Sequence, residues 1–158
     1  MNDLTIREIN ADEIEGLRAM WESLYRHTRA HGMLSDVPPE GFALWASSFA
    51  GLWGRLAFAF IAAEQDSVVG FVAGRIRFHP KHFGGQQVGF ISELFVSPSY
   101  RRRGVGKRMI EAARSWFAER GIARIELQVV AGDHGARAFY VSNGWAEEFV
   151  QMVTETKV

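Results

Sequence analysis

The reading of the fold turns on one stretch, Ile91-Ser92-Glu93-Leu94-Phe95-Val96-Ser97-Pro98-Ser99-Tyr100-Arg101-Arg102-Arg103-Gly104-Val105-Gly106-Lys107. An apolar run that reads as a buried strand ends at Ser97-Pro98. A turn with three arginines and two glycines follows and opens onto a helix. Glycine tolerates positive φ and lets a ligand approach the backbone. The first turn of a helix leaves N–H groups unpaired and carries positive partial charge. Such a turn suits an anion, and a pyrophosphate in particular.

Two familiar phosphate motifs do not fit. A P-loop needs glycine where this chain has Arg101 and a hydroxyl residue where it has Arg108. A dinucleotide fingerprint needs a small residue at Met109 and should follow the first strand of the fold. Gly-x-Gly by itself is also met at ordinary helix starts beside solvated basic loops.

Outward from this stretch the pattern is regular. Leu4 to Ile9 alternates as a half-buried strand, and Asn10 offers an N-cap to a helix carrying Ile14, Leu17, Met20, Trp21, Leu24 and Tyr25. Pro38-Pro39-Glu40 starts a second helix, with Phe42, Trp45, Phe49 and Trp53 on its apolar face. Three strands, Arg55 to Glu64, Val68 to Phe78 and Gln87 to Val96, have short connections and should run antiparallel. Gly104 to Arg120 is an amphipathic helix closed by Gly121. Ile122 to Val130 then completes a βαβ unit of right-handed crossover. Gly135 to Ser142 reads as a short helix and Trp145 to Lys157 as one or two closing strands. The expectation is one α/β domain over residues 1–158. Its central sheet is mixed and mostly antiparallel, flanked by about four helices.

Composition narrows the function. The chain has 158 residues, 47% hydrophobic and 23% charged, with 18 basic against 18 acidic side chains. A neutral balance points neither to nucleic acid nor to an anionic membrane. Without cysteine there is no disulfide, thiol nucleophile or thiolate metal site. The N-terminus lacks the apolar core of a signal peptide, and Leu56 to Ala63 is too short to span a bilayer, so a cytoplasmic protein is expected. His27, His31, His79 and His82 form no tight ligand set by spacing, and no metal is expected.

Arg101-x-x-Gly104-x-Gly106 after a strand ending Leu94-Phe95-Val96-Ser97-Pro98 resembles the acetyl-CoA signature of the GNAT (GCN5-related N-acetyltransferase) superfamily. The run Ala136-Arg137-Ala138-Phe139-Tyr140-Val141-Ser142-Asn143-Gly144-Trp145 resembles that family's later helix and its Tyr-x-x-x-Gly-aromatic motif. The element order is similar as well.

The resemblance implies a GNAT-like fold and transfer of an acetyl group from acetyl-CoA to an amine, on a small molecule or a protein. The main chain of Arg102, Arg103, Gly104, Val105, Gly106 and Lys107 would hold the pyrophosphate, with Arg101 opening the motif. The main chain around Leu94, Phe95 and Val96 would pair with the pantetheine arm, beside a bulge that splays this strand from the next. Tyr140 would be the general acid toward the CoA thiolate, since a phenol is protonated at neutral pH. Glu93 is the candidate base, direct or through water, although some relatives carry an acid one position earlier, at Ser92 here. Asp133 stands where relatives carry a pantetheine-contacting asparagine, and it also fits an ordinary N-cap. Tyr25 to Pro39 and Arg75 to Gln87 would border the acceptor, with Arg75 and Arg77 on one strand face. A homodimer is compatible by analogy. The alternative within the same fold is an acyl-CoA-binding sensor without turnover.

Overall fold

In a computed structural model, which describes residues 3–158, five strands form one sheet in the order β1 (Leu4–Glu8), β2 (Ala57–Glu64), β3 (Ser67–Phe78), β4 (Gln87–Val96) and β5 (Ile125–Leu127). The first four are antiparallel neighbours, and β5 is parallel to β4. The helices are α1 (Arg18–Ala30), α2 (Gly41–Ala50), α3 (Val105–Ala118) and α4 (His134–Ser142). A 3-10 segment, Ala11–Leu17, leads into α1, and the Asn10 N–H donates to the Glu13 carboxylate at 2.9 Å. The fold class expected from the sequence is the one observed.

Two buried layers sandwich the sheet. On one face Val105, Met109, Ile110, Ala113, Trp116 and Phe117 of α3 pack on Phe58, Val72 and Ile91. On the other, Leu17, Trp21, Phe42 and Phe49 pack on Ala59, Ile61, Phe71 and Phe95. Alternation along the strands sends neighbouring side chains to opposite layers, which is why β2 and β3 are apolar on both faces. Burying the Phe117 ring alone contributes about 1.5–3 kcal/mol relative to exposure. Trp21, Trp45 and Trp53 all belong to the second layer, as helical spacing suggested.

Two sequence expectations need correction. β5 covers Ile125–Leu127 rather than Ile122 to Val130, because β4 stops pairing with it after Ile91↔Leu127. Trp145 to Lys157 forms no strand. Its β-forming side chains have no long ladder to join beside a three-residue β5, and Phe149, Val150, Met152 and Val153 stay exposed. Side-chain pairs tether its start instead, Arg137 to Glu147 at 2.8 Å and Arg124 to Glu148.

Candidate active site

The site grows from one irregularity in β4. Ala73 of β3 pairs with Glu93, yet the next residue, Gly74, pairs with Ile91, so Ser92 is an extra residue in a bulge. The bulge resets the alternation. Ile91 faces the α3 layer, and in a regular strand Glu93 would share that face. Here Glu93 instead turns toward α1 and α2, while Leu94 and Val96 return to the α3 side. β4 and β5 part company at the same place.

Glu93 is 3% exposed. The Tyr25 hydroxyl of α1 donates to its Oε1 at 2.8 Å, and the Ser92 hydroxyl donates to Oε2. The Trp45 indole N–H of α2 lies beside the same carboxyl, short of regular hydrogen-bond geometry. Burial pushes the Glu93 carboxyl above the usual glutamate range, and the donors together with the Arg75 charge only partly pull it back. A carboxylate raised in this way accepts a proton more readily than an ordinary glutamate. Burial and the neighbouring Glu93 charge raise the Tyr25 phenol, so it stays a donor.

Arg75 and Arg77 share this face of β3. Arg75 donates to the Ser48 hydroxyl at 3.1 Å and lies 4.6 Å over the Phe49 ring, while Arg77 sits 3.3 Å over Phe90. His79 and Arg124 both contact Glu126.

Beyond the bulge the edge of β4 that no longer meets β5 is open. The Phe95 carbonyl points at β3, 2.6 Å from where a Cβ on Gly70 would stand. By alternation the N–H and C=O groups of Leu94 and Val96 face the open edge. Of the three residues expected to meet the pantetheine, Leu94 and Val96 thus present their main chain to the gap, and Phe95 spends its own on β3. The Val96 carbonyl accepts the Arg101 Nε at 2.9 Å.

The loop that follows is set by Pro98–Tyr100, a single 3-10 turn. The Tyr100 hydroxyl donates to Glu64 at 2.7 Å and Arg103 reaches the same carboxylate at 3.5 Å, so the loop is anchored to the end of β2. Arg102 (φ 60°) and Gly104 (φ 78°) are both left-handed, and such residues in tight turns bring consecutive N–H groups to one side. Arg108 N–H bonds the Gly104 carbonyl at 3.1 Å, but none of the N–H groups from Arg102 through Lys107 donates to another described residue. These orphan donors fit a pyrophosphate. The arginine side chains contribute less than the sequence suggests, since Arg101 and Arg103 already have partners. The two glycines differ. No described atom lies within 4 Å of a Cβ built on Gly104, whereas a Cβ on Gly106 would meet the Phe139 ring of α4 at 3.2 Å. Gly104 serves the turn and the space above it; Gly106 serves helix packing.

Tyr140 lies on α4 and packs on the α3 layer, with Phe139 at 5.1 Å and Trp145 at 5.8 Å between ring centroids. Burial, and then the Asp133 charge, raise its phenol, and its hydroxyl donates to no described residue. Glu93 and Tyr140 therefore sit on opposite faces of β4, on either side of the split in the sheet. Asp133 is the N-cap of α4, and its side chain accepts the Ala136 N–H at 3.0 Å. Burial alone would raise its carboxyl, but that bond and the nearby His27 outweigh it and hold it below the usual aspartate range.

Sequence reasoning missed Tyr25 as the donor to Glu93 and missed the joining of His27 and His31 to Asp133. Partners 68 and 106 residues apart leave no local signal. No helix among the described residues is long and apolar enough to cross a membrane.

A βαβ unit with a loop of unpaired N–H groups, a split beside it and a buried carboxyl across the strand define an α/β protein with a cleft between parallel strands. The profile of the Acetyltransferase (GNAT) family matches residues 16–145. The chain belongs to that family, and so to the N-acetyltransferases as an enzyme class. It is 29% identical over 140 residues to an uncharacterized N-acetyltransferase of Archaeoglobus fulgidus, covering 88% of this chain and 90% of that one. The fold is also that of the aminoglycoside N-acetyltransferase AAC(6')-Iy solved with CoA, at TM-score 0.78, 20% identity and 99% and 96% coverage. A Clostridium acetobutylicum protein described as a predicted acetyltransferase, solved with acetyl-CoA, is similar at TM-score 0.77, 17% identity and 97% and 96% coverage.

Proposed function

We propose that this protein binds acetyl-CoA along the open edge of β4 and transfers the acetyl group to a primary amine by direct attack in a ternary complex. The observation that carries the reading is the loop of unpaired N–H groups from Arg102 through Lys107, continuous with the edge of β4 at Val96 and Leu94 that no strand covers. Acetyl-CoA supplies an acyl group activated as a thioester. The loop N–H groups and the α3 N-terminus bind its pyrophosphate. Leu94 and Val96 pair with the pantetheine arm as a neighbouring strand would, once Arg101 yields or shares the Val96 carbonyl. Holding two substrates in reacting geometry supplies much of the barrier reduction.

Glu93 accepts the proton that the attacking amine loses, directly or through one water, helped by its raised affinity for a proton. Tyr140 donates to the departing thiolate from the other side of the split, and its raised phenol keeps it protonated for that task. Asp133 acts on the donor only indirectly, as the cap that orients α4 and hence Tyr140.

The test is isothermal titration with acetyl-CoA of the wild type and of Gly104→Asp. The substitution puts a negative charge where the pyrophosphate would sit, while the space around Gly104 keeps it from clashing inside the fold. Micromolar binding by the wild type and a loss of at least about 100-fold in the variant, roughly 2.7 kcal/mol, are expected. Gly104→Ala, which adds only left-handed strain, should retain most of the binding. No binding by folded wild type overturns the reading.

A further inference from the structure

The last turn of α1 and the start of α4 meet in a cluster whose two histidines the acyl-transfer reading does not use, and whose Asp133 it uses only as a helix cap. His27 and His31 are one helical turn apart and share a face, with ring centroids 4.1 Å apart. The His27 Nε2 lies 2.8 Å from Asp133 Oδ2. One ligand atom from each of the three side chains lies within 4.8 Å of the other two, and all three residues are half-buried.

The surroundings already orient these groups as ligands are oriented. His31 Nδ1 is 2.8 Å from the His27 carbonyl, which can only accept, so Nδ1 carries the hydrogen and the lone pair of the neutral ring is on Nε2. A backbone carbonyl fixing one imidazole nitrogen is the usual outer contact of a metal-bound histidine. Asp133 Oδ1 is held by the Ala136 N–H, which leaves Oδ2 to face the histidines. The approach is close in the backbone too: a Cβ on Gly132 would stand 2.3 Å from the His31 carbonyl oxygen.

We propose that His27, His31 and Asp133 bind a divalent cation, with zinc the best match, clasping α1 to the N-cap of α4. Two imidazoles and one carboxylate suit zinc and leave a fourth tetrahedral position for water or an external ligand. Magnesium and calcium want oxygen ligands and fit poorly. Ligands about 2.0 Å from a tetrahedral ion lie roughly 3.3 Å from one another, so His27 and Asp133 need to open by only about half an ångström from their present contact. The site stands whether or not the acyl-transfer reading does, because it uses neither Glu93 nor the phosphate loop.

The test is isothermal titration of the chelator-stripped 158-residue protein with zinc chloride. One equivalent is expected to bind with micromolar affinity or better. His31→Ala should weaken binding by about 100-fold, as loss of one of three ligands demands. Gly132→Ala keeps every ligand but pushes the 130–133 loop off His31, and should weaken binding by at least about tenfold. His82→Ala, in the loop after β3, should leave it unchanged. Far-UV circular dichroism checks that each variant is folded; should His31→Ala unfold, His31→Gln takes its place. Absence of stoichiometric binding by the wild type overturns the proposal, and so does affinity unaltered in His31→Ala or lost equally in His82→Ala.

Discussion

Replacing Tyr25 by phenylalanine removes one hydroxyl and nothing of the ring that packs 4.5 Å from Trp21. That hydroxyl is a 2.8 Å donor to a carboxyl that is 3% exposed. A hydrogen bond to a charged group contributes about 1.5–3 kcal/mol, the equivalent of roughly one to two pKa units. The Ser92 hydroxyl and the Arg75 charge remain, so the lower end, about one unit, is the working figure. The sign follows from which form the donor favours. Tyr25 stabilises the ionised carboxylate; without it the neutral acid gains, and the already raised Glu93 pKa rises further. A general base works only when deprotonated, so the acidic limb of the rate profile moves to higher pH.

Two measurements decide it. The Glu93 carboxyl is titrated by carbon-13 NMR in wild type and Tyr25→Phe, and kcat/KM is followed across the same pH range by thiol release with any amine the enzyme accepts. Both midpoints should rise by about one unit, with the variant regaining wild-type rate on the alkaline plateau. If the NMR midpoint moves and the kinetic limb does not, Glu93 is not the base. If neither moves, the hydroxyl does not tune the carboxyl and the electrostatic account of the site is wrong.

Tyr140→Phe should bind acetyl-CoA as the wild type does while kcat falls about 10²-fold or more, the usual contribution of a positioned acid. Stopped turnover with tight binding in the wild type itself would instead identify a sensor. Gly89→Ala puts a Cβ 2.8 Å from the Phe117 ring, which is fully buried and cannot retreat. It should cost about 1–3 kcal/mol, seen as a lower urea midpoint at unchanged slope, and a wild-type midpoint would mean that α3 does not press on β4 there.

Much of this was legible along the chain. Period and punctuation mark the helices from Arg18 and Val105, which rest on contacts within a few residues, and the antiparallel strands, whose apolar runs and short connections show along the chain. The anion loop was legible because Gly104 and the strand before it are contiguous. What failed was set by pairing between distant segments. Nothing in Ser92-Glu93 itself announces a bulge; it exists because Gly74 of β3 pairs with Ile91 and Ala73 with Glu93. The run Phe149-Val150-Gln151-Met152-Val153 has every local mark of a strand, yet strandhood needs a neighbour, and a β5 of three residues offers too little edge. The histidines looked scattered because their third partner, Asp133, belongs to another helix.

The bulge at Ser92 is where the separate parts of the site become one device. Without it Glu93 would follow Ile91 into the α3 layer, whose buried residues include Met109, Ile110 and Phe117, and away from the Tyr25 hydroxyl. An ionised carboxylate there would be intolerable and a neutral one useless as a base. β4 would also run on beside β5, and the N–H and C=O groups of Leu94 and Val96 would be consumed by the sheet. A single extra residue therefore turns the carboxyl toward α1 and α2, supplies it with Tyr25, and frees a strand edge that leads straight into the Arg102-to-Lys107 loop. On the proposed reading, the base and the donor groove cannot be tuned independently in this chain, because one register shift creates both.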